Sequence, residues 1–69
     1  MAEHNLDLFL RRRNLGLTQT DLGRALKVGK SEISRFENGQ ANLPRGLTRD
    51  DYERAMDDII RERLSGTPA

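Results

Sequence analysis

The sequence has no cysteine and no tryptophan, a single histidine, two prolines and three aromatic residues among its 69. Without cysteine there is neither a disulfide framework nor a thiolate metal site, and His4 alone cannot build a zinc site. Neither a metal nor a cofactor is expected. The longest apolar run is three residues, Leu8-Phe9-Leu10, far below the roughly 18 needed to cross a bilayer. No apolar signal-peptide core precedes a cleavage site. A soluble, cytoplasmic protein with no membrane partner is therefore expected. No stretch alternates apolar and polar residues long enough to argue for a strand. No nucleophile–base pair, metal-ligand cluster or glycine-rich phosphate loop is present, so the chain is not expected to be an enzyme. His4 reads as a solvated tail residue without a function.

The length allows one domain over residues 1–69. A chain this short buries only about 60% of the surface its unfolded form exposes, and it needs regular packing to be stable. Charged residues make up 33% and apolar ones 35%, with a net charge of +1. That balance conceals an asymmetry. Residues 1–45 carry eight Lys/Arg and five Asp/Glu, net +3, whereas residues 46–69 carry four and six, net −2. One end of the molecule is basic and the other acidic.

Apolar residues recur with helical spacing in four places. Leu6, Phe9 and Leu10 predict a first helix from Asn5, stopped at Asn14-Leu15-Gly16. Thr18, three residues before Asp21, has the spacing of a capping box and opens a second helix whose buried stripe is Leu22, Ala25 and Leu26, ending near Lys27. A third runs from about Lys30 to Asn38, with Ile33 and Phe36 on one face and Lys30, Ser31, Ser34 and Arg35 on the other. Leu22, Leu26, Val28, Ile33 and Phe36 are expected in the core. Residues 40–47 read as a loop in which Pro44 keeps Leu43 extended. Thr48 and Asp51 repeat the capping spacing, and Tyr52, Ala55, Met56, Ile59, Ile60, Arg63 and Leu64 follow on one stripe. That is one helix of about 17 residues, roughly 25 Å long, with residues 65–69 as a frayed tail. The expected fold is all-α: a compact bundle of four or five helices containing a helix-turn-helix at about residues 18–38.

Two short helices joined by a tight turn, the second with a small, polar, basic outer face, match the motif whose second helix enters the DNA major groove. The segment Leu17-Thr18-Gln19 through Leu22, with Ile33-Ser34-Arg35-Phe36-Glu37-Asn38-Gly39 after it, resembles the Cro/repressor (XRE-like) helix-turn-helix family of phage repressors, Cro proteins and related small bacterial regulators. The likeness covers about residues 8–47. It implies that Gln19 meets a DNA phosphate and braces the first residues of helix three, and that Lys30, Ser31, Ser34 and Arg35 read base edges. Arg35 is the foremost specificity candidate, because arginine donates bidentately to guanine. Lys30 is a second guanine reader or a phosphate contact. Glu32 either accepts from cytosine or caps its own helix, the local role being favoured. Asn38 matches a phosphate-contacting position. Arg45 matches a residue that reaches the minor groove in some relatives, or is a solvated loop charge. Glu37 is implied to pair with Arg12 as a structural ion pair, while the run Arg11-Arg12-Arg13 is either simply solvated or adds phosphate attraction. The family commonly has glycine where Lys27 stands, and a left-handed non-glycine residue costs roughly 1–2 kcal/mol. Gly29, two residues on, offers the turn another path. Many relatives also have two short helices where this chain has one long one.

These readings lead to a sequence-specific transcriptional regulator of phage or mobile-element type, a repressor or a dual repressor/activator, prokaryotic and nucleoid-associated. Its partner is a palindromic double-stranded DNA operator, bound as a homodimer. In some relatives RNA polymerase is a further partner, touched from the end of helix two or the following turn. Ile59, Ile60 and Leu64 are the candidate dimer interface, since the last apolar stripe outruns what a short body covers; packing within one chain is the alternative. No small-molecule ligand is expected, as the length leaves no sensing domain. The rival readings are an antitoxin or a restriction–modification controller protein of the same fold, or a protein-interaction module that does not bind DNA.

Overall fold

The computed structural model describes residues 5–65; His4 and the tail beyond Ser65 lie outside the described residues. Four α-helices follow one another: α1 (Leu6–Asn14), α2 (Gln19–Leu26), α3 (Lys30–Glu37) and α4 (Arg49–Leu64), with a single 3₁₀ turn at Pro44–Gly46 between the last two. No strand occurs among the described residues.

Local sequence signals explain most of the boundaries. Thr18 and Asp21 form a reciprocal cap on α2: the Thr18 hydroxyl accepts from the Asp21 N–H at 3.0 Å and the Asp21 carboxylate accepts from the Thr18 N–H at 2.9 Å. The Thr18 N–H holds the Asp21 carboxyl below its ordinary range against the opposing effect of burial. Thr48 and Asp51 repeat the arrangement on α4. At α3 the N-cap is Gly29, and Glu32 Oε1 accepts its N–H at 2.8 Å, so this carboxylate takes the local capping role. The end of α3 closes through the left-handed Gly39 (φ 74°), with Gln40 N–H donating to Arg35 C=O and Gly39 N–H to Phe36 C=O.

The core comprises Leu8, Leu17, Leu22, Ile33, Phe36, Leu43, Tyr52, Ala55 and Met56, with Leu26, Val28, Leu47, Ile59 and Ile60 packed half-buried against it. The Phe36 and Tyr52 rings lie 5.5 Å apart in a tilted contact between α3 and α4.

Two expectations are corrected, and one choice left open by the sequence is decided. The buried face of α1 is Leu8 with Arg12, while Leu6 and Leu10 remain 55% and 49% exposed. The inward arginine is tolerated because it meets a buried carboxylate, and it turns the apolar pair outward. On α2 the buried partner of Leu22 is Gly23, and Ala25 is exposed. The turn lies close on Gly23: a Cβ there would stand 2.7 Å from the Val28 carbonyl oxygen. Lastly, the turn takes no detour through Gly29, which is extended (φ −76°); Lys27 itself adopts the left-handed conformation at φ 60°, ψ 45°. The cap N–H of Lys27 donates to the Gly23 C=O, and the Val28 N–H donates to the same oxygen at 2.8 Å.

Candidate nucleic-acid interface

Helix α3 presents two chemically opposite faces. Ile33, Phe36 and Glu37 point inward, while Lys30, Ser31 and Arg35 are exposed and Ser34 is half-buried. Positions 30, 31, 34 and 35 share one side of a 3.6-residue helix, and their side chains line a shallow depression completed by Gln19 at the start of α2. Among the described residues neither the Lys30 nor the Arg35 side chain makes a hydrogen bond or ion pair. A second depression, lined by Phe9, Arg13, Thr18 and Thr20, adjoins the first through the shared residues Gln19 and Lys30. No carboxylate lines either one. The result is one continuous, basic, hydroxyl-bearing surface along α2 and α3.

A buried polar network holds that surface in place. Glu37, 4% exposed, faces Arg12, 6% exposed. Arg12 Nε donates to Glu37 Oε2 at 2.7 Å and Nη2 donates to Oε1 at 3.1 Å. The remaining guanidinium nitrogen donates to the Leu17 C=O at 2.9 Å. Gln19 Nε2 donates to Glu37 Oε1 at 3.2 Å, and the Tyr52 hydroxyl donates to Oε2. One carboxylate thereby ties α1, α2, α3 and α4 together, and no buried side-chain polar atom among the described residues lacks a partner. Burial works against the Arg12 charge, but the hydrogen bonds and charge of Glu37 outweigh it and raise the guanidinium pKa. Burial and the Glu37 carboxylate together push the Tyr52 phenol well above its ordinary value. The Arg12–Glu37 pair is the one the family resemblance implies. Gln19 braces α3 as expected, though at its last residue instead of its first.

The other site residues expected from the sequence are dispersed. Asn38 stands exposed as the C-cap of α3. Arg45 adopts a left-handed backbone (φ 59°) and turns its guanidinium onto the last carbonyls of α2, those of Leu26 and Lys27, complementing the negative end of that helix. Ile59 and Ile60 sit on opposite flanks of α4: Ile59 lines a depression with Asp21, Arg24 and Ala25, and Ile60 lines another with Leu15 and Leu64. Sequence reasoning missed Leu15 as a member of that apolar surface, as well as Tyr52 and Phe9 as parts of the polar site. Tyr52 had been legible only as a member of an apolar stripe.

A family model described as a helix-turn-helix domain matches residues 8–57, from within α1 to the middle of α4. The chain belongs to the helix-turn-helix domain family. No curated protein and no solved structure gives a significant match. Helices α2 and α3 lie wholly within the matched span, joined by a turn that holds the left-handed Lys27. No helix among the described residues is long and apolar enough to cross a membrane.

Proposed function

We propose that this helix-turn-helix domain is a sequence-specific DNA-binding transcriptional regulator of the Cro/repressor type. It inserts α3 into the major groove of a palindromic operator, binds as a homodimer and acts in the cytoplasm, on the nucleoid, by occluding a promoter. Its activity is binding, not catalysis. Arg35 reads a guanine through its two-nitrogen fork, Lys30 adds a second basic contact, Ser31 and Ser34 take hydrogen bonds from or give them to base edges, and Gln19 and Asn38 meet phosphate.

The observation that carries this reading is the state of the charges. Arg11, Arg12, Arg61 and Arg63 each pair with a carboxylate, as Arg49 does with Asp7. The two cations of the outer face of α3 have no such partner among the described residues. Unneutralised cations held on a rigid helix, with hydroxyls between them and no carboxylate in the depression they line, suit a polyanion whose groove edge offers acceptors.

Binding-site selection from a random DNA pool at about 150 mM salt tests the proposal, because non-specific affinity is largely suppressed there. The expected outcome is an enriched palindrome with half-sites about one helical turn apart. Arg35→Ala should relax one base position while leaving the fold intact, at a cost of about 1–3 kcal/mol in discrimination. A pool that emerges unenriched overturns the assignment.

A further inference from the structure

The fold splits Arg11-Arg12-Arg13 three ways. Arg11 pairs with Asp57 of α4 at 3.3 Å, and Arg12 turns inward to Glu37. Arg13 does neither: among the described residues its guanidinium has no hydrogen bond and no ion pair. Its guanidinium carbon lies 5.5 Å from the centroid of the Phe9 ring, and that of Arg12 lies 5.4 Å from the same centroid. Phe9 precedes Arg13 by four residues, so the ring stands one helical turn away on the same side of α1. It is half-buried.

A ring face attracts a guanidinium without neutralising it, and its hydrogen-bond donors stay available. Holding a long side chain in one place beforehand also reduces the ordering cost when a ligand arrives. The depression beneath Arg13 is edged by Thr20, Gln19 and Lys30, and it runs directly into the outer face of α3. A cationic fork at the margin of a helix lying in the groove meets the sugar–phosphate wall, not the base edges on the groove floor. Arginine matches phosphate oxygens bidentately there.

We propose that Arg13, steadied by the Phe9 ring and flanked by Thr20 and Lys30, forms a site for a DNA backbone phosphate beside the bases that α3 reads. The proposal rests on the DNA-binding reading above, and it assigns to α1 a contact that strengthens binding without adding sequence preference.

The test is the salt dependence of binding to the duplex found by site selection, for the full chain and for Arg13→Gln, Arg13→Lys and Arg11→Gln. Each phosphate contact contributes about 0.9 to the slope of log affinity against log salt. Arg13→Gln should lower the slope by about that amount, which corresponds to about a fivefold loss of affinity that opens between about 1 M and 0.15 M salt. Its melting temperature and selected sequence should stay as they are. Arg13→Lys should restore the slope, and Arg11→Gln, which removes a charge already paired on the α4 side, should leave it unchanged. An unchanged slope in Arg13→Gln overturns the phosphate site, as does an equal drop in Arg11→Gln, which would mark a diffuse field effect. A changed base preference in Arg13→Gln overturns it too, since the residue would then be a reader. If the unaltered chain shows no salt-dependent duplex binding, the DNA-binding reading itself fails and the phosphate site fails with it.

Discussion

Glu37 accepts four donors on its two oxygens: two from Arg12, one from Gln19 and one from Tyr52. Its charge is offset by the guanidinium beside it, and Arg12 spends its last nitrogen on the Leu17 carbonyl. Removing one member leaves the other as an uncompensated buried charge, which costs about 3–5 kcal/mol. For a chain of this length the whole stability is of order 3–10 kcal/mol. Glu37→Gln is therefore expected to shift the urea midpoint drastically and to leave the domain at the edge of unfolding at 25 °C. Tyr52 makes the network sensitive to alkali. Its folded-state pKa is raised above the unfolded value of 10.0, so the folded state binds the proton more tightly. The associated stability is complete below pH 10 and is lost as pH rises beyond it. Urea titrations should show this alkaline decline in the unaltered chain. Tyr52→Phe should lack it, at a neutral-pH cost of about 1–3 kcal/mol because Glu37 loses a donor. The ion pair was legible through the family likeness. So was a Gln19 brace on helix three, though not its Glu37 acceptor. The Tyr52 hydrogen bond was not, because it joins positions 15 residues apart and leaves no local pattern in the sequence.

Within the α2–turn–α3 unit two positions carry opposite predictions. Gly23→Ala places a methyl 2.7 Å from a backbone carbonyl oxygen, and backbone cannot swing aside as a side-chain end can. The helix-propensity gain of about 1 kcal/mol should be outweighed by overpacking of about 1–3 kcal/mol, so chemical denaturation should show net destabilisation. Lys27→Gly acts the other way. It releases a left-handed backbone strain of roughly 1–2 kcal/mol, part of which is returned as unfolded-state entropy, leaving a gain of about 0.5–1 kcal/mol. A destabilised Lys27→Gly would mean that the Lys27 side chain contributes more than its backbone costs. These two sites also mark where sequence legibility ends. Capping boxes at Thr18 and Thr48 are three-residue signals, and both appear where their spacing put them. The exposure of Ala25 and the close approach of the turn to Gly23 leave no signal in residue spacing, while the left-handed Lys27 was one of two paths the sequence left open. The strain is held in part by Arg45, which bonds the Lys27 carbonyl from 18 residues away and so serves the turn in a way its loop position did not announce.

Charge and apolar surface are partitioned over the whole molecule. Ion pairs fasten α4 to the rest: Asp57 to Arg11, Arg63 to Asp21, and Arg49 to Asp7. These pairs are exposed, apart from the half-buried Asp21, and individually worth little. Among the described residues Arg13, Lys30 and Arg35 stay without an ion pair, as do Arg24, Lys27, Arg45 and Arg54. The large exposed apolar side chains among the described residues are Leu6 and Leu10 on α1, Leu15 at its cap and Leu64 at the end of α4. Leu15, Ile60 and Leu64 line one depression, and a second copy would cover it in the proposed homodimer. Ile59 lies on the other flank of α4 beside α2 and, like Ile60, packs half-buried against the core. The two flanks can be told apart by substitution. Leu64 is 80% exposed, so Leu64→Glu removes little buried area from one chain and should leave the unfolding free energy of the monomer unchanged while shifting sedimentation from dimer to monomer. Ile59→Glu forces a charge into a half-buried position and should lower stability by about 1–3 kcal/mol whatever the state of association. If the unaltered chain sediments as a monomer at tens of micromolar, or if Leu64→Glu leaves the dimer intact, the α1–α4 flank is not the contact. The two half-sites of an operator would then be joined through another surface, and Leu6 with Leu10 on the outer side of α1 becomes the next pair to substitute.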